Sequence, residues 1–177
     1  MGKWIVNLTL WIALALWWSA AVADEDNLYF SGSLVNEPCM LAAEDAQVEL
    51  DFLSVVDKDL YLNGRTRGRP MTLHLQNCQL GTGNSRVSIM FSGPESIDPP
   101  GLLVLQSGDV HGVLLGLETV DGKPLVLNET HNMGAFIKGS NLINFNAYLQ
   151  GESQALVDRN IGLGAFYTAL SFTLSYD

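Results

Sequence analysis

The feature that most narrows the fold of this chain is alternation. Residues 166–176 place Leu170, Phe172, Leu174 and Tyr176 at every second position, with Ser171, Thr173 and Ser175 between them. Side chains of an extended backbone point to opposite faces in turn, so this run has one apolar and one polar face, as a half-buried strand does. The same period recurs along the chain. Residues 71–78 set Met71, Leu73 and Leu75 against Thr72, His74 and Gln76, and end on Cys78. Residues 86–91 turn Val87, Ile89 and Phe91 to one side, and residues 142–149 do so with Ile143, Phe145 and Ala147. Residues 48–52 alternate as well. Residues 113–119 and 124–127 flank Asp121-Gly122, a pair that favours a tight hairpin turn. Helical spacing is nearly absent, and residues 152–160 hold a short turn at most. Roughly six to eight strands, punctuated by glycine and proline, predict an all-β sandwich. No internal repeat, low-complexity tract or second domain is visible.

The first residues read differently. Lys3 precedes an apolar run over residues 4–18, and Ala21 and Ala23 then supply the small residues of a signal-peptidase site. A membrane anchor would need about 20 apolar residues, whereas this run is shorter and gives way at once to Asp24, Glu25 and Asp26. Residues 1–23 are therefore expected to be a signal peptide, and the rest an exported domain of ordinary single-domain length.

Loss of Lys3 from the nine basic residues leaves eight against 19 acidic ones. A net charge that negative disfavours nucleic acid and anionic membrane as partners. Arg65, Arg67 and Arg69 form the one basic cluster, and their alternation with Gly and Thr reads as a solvated loop. Cys39 and Cys78 are the only cysteines. In an oxidising compartment they are expected to pair, the alternative being two buried thiols. A bridge closing a loop of about 40 residues stabilises by roughly 4 kcal/mol in the chain-entropy model.

Nothing in the spacing points to catalysis. His74, His111 and His131 lie in separate segments without metal-ligand spacing, and His74 on a polar strand face reads as a surface or rim residue. No nucleophile elbow, phosphate-binding loop or dinucleotide fingerprint occurs. No enzyme activity and no cofactor are expected.

The block from Phe30 to Cys39, with Gly32, Leu34 and Pro38, resembles the opening of chaperone–usher pilus (fimbrial) subunits. That family places its second cysteine at the end of an alternating strand, as Leu75-Gln76-Asn77-Cys78 does here. Residues 112–122, the Phe145-Asn146-Ala147-Tyr148 strand and the C-terminal run with its penultimate Tyr176 are also similar to the family pattern, in order. The short arm before Gly32 and the Asn-Glu-Pro-Cys turn look most like minor tip or adaptor pilins of the P-pilus type. The acidic start, Asp24-Glu25-Asp26, departs from that pattern.

The resemblance implies an incomplete immunoglobulin-like β-sandwich that lacks its final strand and is completed by a donated one. Residues 24–31 would be the N-terminal donor extension and 32–177 the pilin domain. Leu28, Phe30, Gly32 and Leu34 would form the donor face. Leu170, Phe172, Leu174 and Tyr176 would line the acceptor groove, and the Asp177 carboxylate would anchor in a basic cleft of a periplasmic chaperone. The implied partners are that chaperone, an outer-membrane usher and neighbouring subunits, in a chain exported through the periplasm to a cell-surface fimbrium that serves adhesion. From another functional class, a secreted carbohydrate-binding β-sandwich module would have a complete sheet and fold alone.

Overall fold

The computed structural model describes residues 38–79 and 86–176, and the expectations placed on residues 1–37 and on Asp177 lie outside them. Among these described residues there are eight strands: β1 (Met40–Leu41), β2 (Arg69–Cys78), β3 (Arg86–Ser92), β4 (Leu103–Val104), β5 (Val113–Thr119), β6 (Thr130–Ala135), β7 (Gly139–Gly151) and β8 (Ser171–Tyr176). They form a five-stranded sheet in the order β1-β2-β7-β5-β4 and a three-stranded sheet in the order β6-β3-β8. Every ladder is antiparallel.

The alternation of the sequence maps onto the space between these sheets. Phe91 stands opposite Phe172, Ile89 opposite Leu174, and Val87 opposite Tyr176 across the β3–β8 ladder. Val87, Ile89 and Phe91 are buried, while their β8 partners are half-buried. The larger sheet contributes Leu73 and Leu75 from β2, Ile143, Phe145, Ala147 and Leu149 from β7, and Leu117 from β5, all buried. Phe91 and Phe145 join the layers, their ring centres 5.2 Å apart and tilted by 52°, a favourable aromatic geometry. Cys39 and Cys78 are disulfide-bonded, so the bridge ties the start of β1 to the end of β2.

Four details depart from the sequence reading. A helix, α1 (Asp57–Asn63), had no counterpart there. It is short, and only Leu60 of its side chains is buried. Gly64 ends it in the left-handed region (φ 75°), where its N–H bonds the Leu60 carbonyl. Residues 124–127 do not continue the hairpin as a strand. The turn forms, with Gly122 N–H donating to the Thr119 carbonyl, and Leu125 N–H still donates to the Leu117 carbonyl beyond the Glu118–Pro124 bridge, but Leu127 N–H turns to the Gly101 carbonyl and leaves β5. Residues 48–52 belong to no ladder. The second helix, α2 (Ser153–Asp158), is the short turn expected over 152–160.

The fourth departure corrects the reading of the arginines as a solvated loop. Only Arg67 of the three is exposed. Arg65 lies 3.6 Å over the Tyr148 ring and bonds Glu118 Oε1 at 2.8 Å. Beneath them the ring covers Gly116, where a Cβ would stand 2.3 Å from Tyr148 Cζ. Glu118 is buried, so Arg65 answers a charge that would otherwise lie unpaired on that outer face. Burial pushes the Tyr148 phenol above its usual range, with Arg65 pulling it down and Glu118 pushing it up. Arg69 is engaged at the cleft described below. His74 keeps its surface position, yet its Nδ1 lies 3.0 Å from Oδ2 of the buried Asp45, which also accepts the His74 backbone N–H. Asp45 sits in a 3₁₀ turn, Ala43–Ala46, so this pair fastens the chain after β1 to β2.

Candidate functional site

Between the sheets, on the side of β8, the sandwich is open. A cleft of about 970 Å³ runs between residues 46–53 on one wall and residues 164–172 on the other. Its floor is the core itself: Leu73, Phe91, Leu103, Leu117 and Phe145 all reach it. Leu170 and Phe172 project into it from the second wall. Leu174 and Tyr176 pack against the core farther along the strand.

The two walls are held by different means. β8 bonds β3 on one side, and among the described residues no strand lies on its other side. The segment entering it is pinned by reciprocal backbone bonds between Tyr167 and Gln106, at 2.7 and 3.0 Å. The opposite wall has no ladder, and side chains fix it instead. Arg69, at the start of β2, donates to the carbonyls of Asp51 (2.7 Å) and Phe52 (2.9 Å). Its guanidinium lies 5.6 Å from the Phe52 ring centre, and Phe52 meets Phe166 of the far wall at 6.3 Å. Leu53 ends the segment in the left-handed region (φ 55°), with its N–H bonded to Asp51 Oδ1 at 2.7 Å.

This arrangement offers shape and a backbone edge. Among the described residues, Glu49 and Asp51 are the charged residues on the lining, and no His, Lys, Arg or Cys reaches it. Among the described residues no group of three His, Cys, Asp or Glu is placed to hold a metal ion. An extended segment with apolar side chains at alternate positions fits such a cleft, because its main chain can bond a strand edge while its side chains fill the trough.

Of the residues named from sequence, Leu170 and Phe172 are brought to the cleft. Cys39 and Cys78 are joined at the end of β2. Leu28, Phe30, Gly32, Leu34 and Asp177 lie outside the described residues. Sequence reasoning missed Arg69, Phe52 and Phe166 as builders of the walls. Aromatic residues at both 52 and 166 were the available hint, but no spacing says that two positions so far apart meet.

The comparisons with known proteins agree with this architecture. The family model described as fimbrial protein matches residues 28–177. The fimbrial-like protein YfcP of Escherichia coli strain K12 is 32% identical over 99% of this chain and 95% of its own length. The fimbrial adapter PapK of Escherichia coli is 26% identical over 89% of this chain and 92% of its own. The crystal structure of the P pilus rod subunit PapA superimposes with a TM-score of 0.69 at 21% identity, covering 80% of this chain and all of that one. At that identity the likeness speaks for the fold: an incomplete immunoglobulin-like β-sandwich. The match over residues 28–177 and the similarity to YfcP place the chain in the fimbrial protein family, as a subunit of chaperone–usher pili.

Proposed function

We propose that the chain is a minor subunit, of the tip or adaptor kind, that joins its neighbours by exchanging strands. The observation that carries this reading is the cleft, an apolar trough along the β8 edge with an unladdered opposite wall. A chaperone strand fills it in the periplasm, and the arm of the next subunit replaces that strand at the usher. A strand edge beside exposed apolar side chains is prone to wrong pairing, so continuous cover suits the geometry. Leu28, Phe30, Gly32 and Leu34 form the donor face offered to the neighbour, with Gly32 where the backbones approach closely. The Asp177 carboxylate sits in the chaperone's basic cleft. Residues 1–23 direct export and are removed.

The adaptor role draws support from the similarity to PapK and from the short arm ahead of Gly32. A rod role has its own support in relatives such as the major MR/P fimbria protein of Proteus mirabilis, 27% identical over 89% of this chain. Two measurements test the reading. Periplasmic expression with the chaperone encoded beside this chain should yield a stable complex, and expression alone should yield degraded or self-associated protein. A soluble monomer without chaperone would restore the carbohydrate-module alternative. Immunogold labelling should mark fibre ends or short tips; labelling along whole shafts would make this a rod subunit.

A further inference from the structure

The charges around the cleft bear on which arm enters it. Glu49 and Asp51 are exposed on the wall, and the rest of the lining is uncharged. Arg69 bonds the Asp51 and Phe52 carbonyls of that wall but is not among the residues lining the cleft. Gln47 Nε2 donates to Glu49 Oε1 at 3.4 Å. The outward residues of the opposite wall, Ser171, Thr173 and Ser175, are neutral. The mouth of the cleft is therefore acidic on one side and neutral on the other. The chain's own arm opens with Asp24, Glu25 and Asp26 and has no basic residue before Cys39.

Taking the strand-exchange reading as its basis, we infer that the cleft selects by charge against arms like its own and accepts the arm of a different subunit, one with Lys or Arg flanking its apolar positions. A second copy of this chain would bring three acids toward a wall that already carries two. Like charges at distances near the screening length of about 8 Å at physiological ionic strength still repel, and the repulsion acts mainly on the rate of encounter. Apolar side chains decide whether an arm fits. The charge pattern decides whose arm arrives, so a row of identical subunits is disfavoured.

The test offers the full exported chain, purified from the periplasm with its cleft covered as it is found, three fluorescein-labelled peptides. One has the sequence of residues 24–35. The second carries Asp24→Asn, Glu25→Gln and Asp26→Asn, and the third Asp24→Lys, Glu25→Lys and Asp26→Lys. Their apolar positions are identical. Incorporation read by gel fluorescence should rank lysine, then neutral, then native peptide, with about threefold between the extremes at 50 mM salt and the gap closing at 500 mM. Glu49→Lys, an exposed change, should narrow or reverse the order. Equal rates at low salt, or a native peptide that enters fastest, would overturn charge selection while leaving the cleft's role intact. If none of the three enters under any condition, the strand-exchange reading fails, and charge selection with it.

Discussion

Arg69 holds Phe52 by its backbone and by its ring at once: a guanidinium nitrogen donates to the Phe52 carbonyl at 2.9 Å, and the cation stands 5.6 Å from the centre of the same residue's ring. One side chain thus positions a cleft wall that has no strand ladder of its own. Arg69→Ala leaves the part-buried Phe52 carbonyl without its partner and should cost about 1–3 kcal/mol. The denaturation midpoint should fall, and the amides of residues 47–53 should exchange faster while those of β2 and β7 stay protected. Uniform loss of protection across the sheet would mean that Arg69 serves the whole fold and not this wall.

The outer face of the larger sheet makes a separate claim. Gly116→Ala puts a methyl group where the Tyr148 ring now lies, so the ring must lift and Arg65 loses its seat. The strain should destabilise by about 1–3 kcal/mol. The tyrosine near-ultraviolet dichroism should change with it, since Tyr148 sits in a fixed, asymmetric setting. An unchanged melting curve and spectrum would show that the ring is free to move.

Alkaline pH reads the same cluster. Burial raises the Tyr148 pKa above the usual phenol value of about 10, because the folded chain favours the neutral phenol. The unfolded chain then loses this proton first as pH rises. The stability due to Tyr148 is intact below about pH 10 and declines as pH climbs from there to the folded pKa. Absorbance at 295 nm should show one tyrosine titrating late in the native state. Tyr148→Phe should remove that step and make the alkaline loss of stability shallower, and a variant whose alkaline curve matches the parent's would assign the late step elsewhere.

Phe172 and Thr173 are neighbours on opposite faces of β8, the first on the cleft and the second exposed. Phe172→Asp sets an unpaired carboxylate in an apolar trough, at a cost of several kcal/mol unless it takes up a proton. It should abolish recovery of a complex with the chaperone encoded beside this chain, whereas Thr173→Asp should reduce it little. Equal recovery of both variants would remove β8 from the acceptor role.

Most of the strands were legible because a half-buried antiparallel strand writes its two faces into alternate positions. Val87, Ile89 and Phe91, and Ile143, Phe145 and Ala147, fall inside as their pattern requires. The pattern reports side-chain direction and not backbone partners. Residues 48–52 alternate, yet they form a wall without a ladder. Residues 124–127 bury Leu125 and Leu127 on a segment that bridges β5 at one position and then bonds the Gly101 carbonyl. The helix α1 was invisible because a single buried leucine gives no periodicity. The arginine contacts were invisible for another reason: Arg65 meets Glu118 across 53 positions of sequence, and Arg69 meets main-chain carbonyls, which every residue has. Half of the cleft was readable, in Leu170 and Phe172. The other half was set by contacts that no local spacing encodes.

The Cys39–Cys78 bridge has a mechanical consequence. A pull applied through the residues ahead of Cys39 enters the described fold at that cysteine. Without the bridge, it would fall on the backbone bond from Gln79 N–H to the Pro38 carbonyl and on the β1–β2 ladder, only two residue pairs long. The disulfide offers a parallel covalent path to the end of β2, a ten-residue strand laddered to β7 over most of its length. Tension is thereby spread as shear over many hydrogen bonds loaded together, and β1 is spared from being peeled away one bond at a time. Reducing the bridge should lower the force at which the domain yields far more than it lowers the temperature at which it melts.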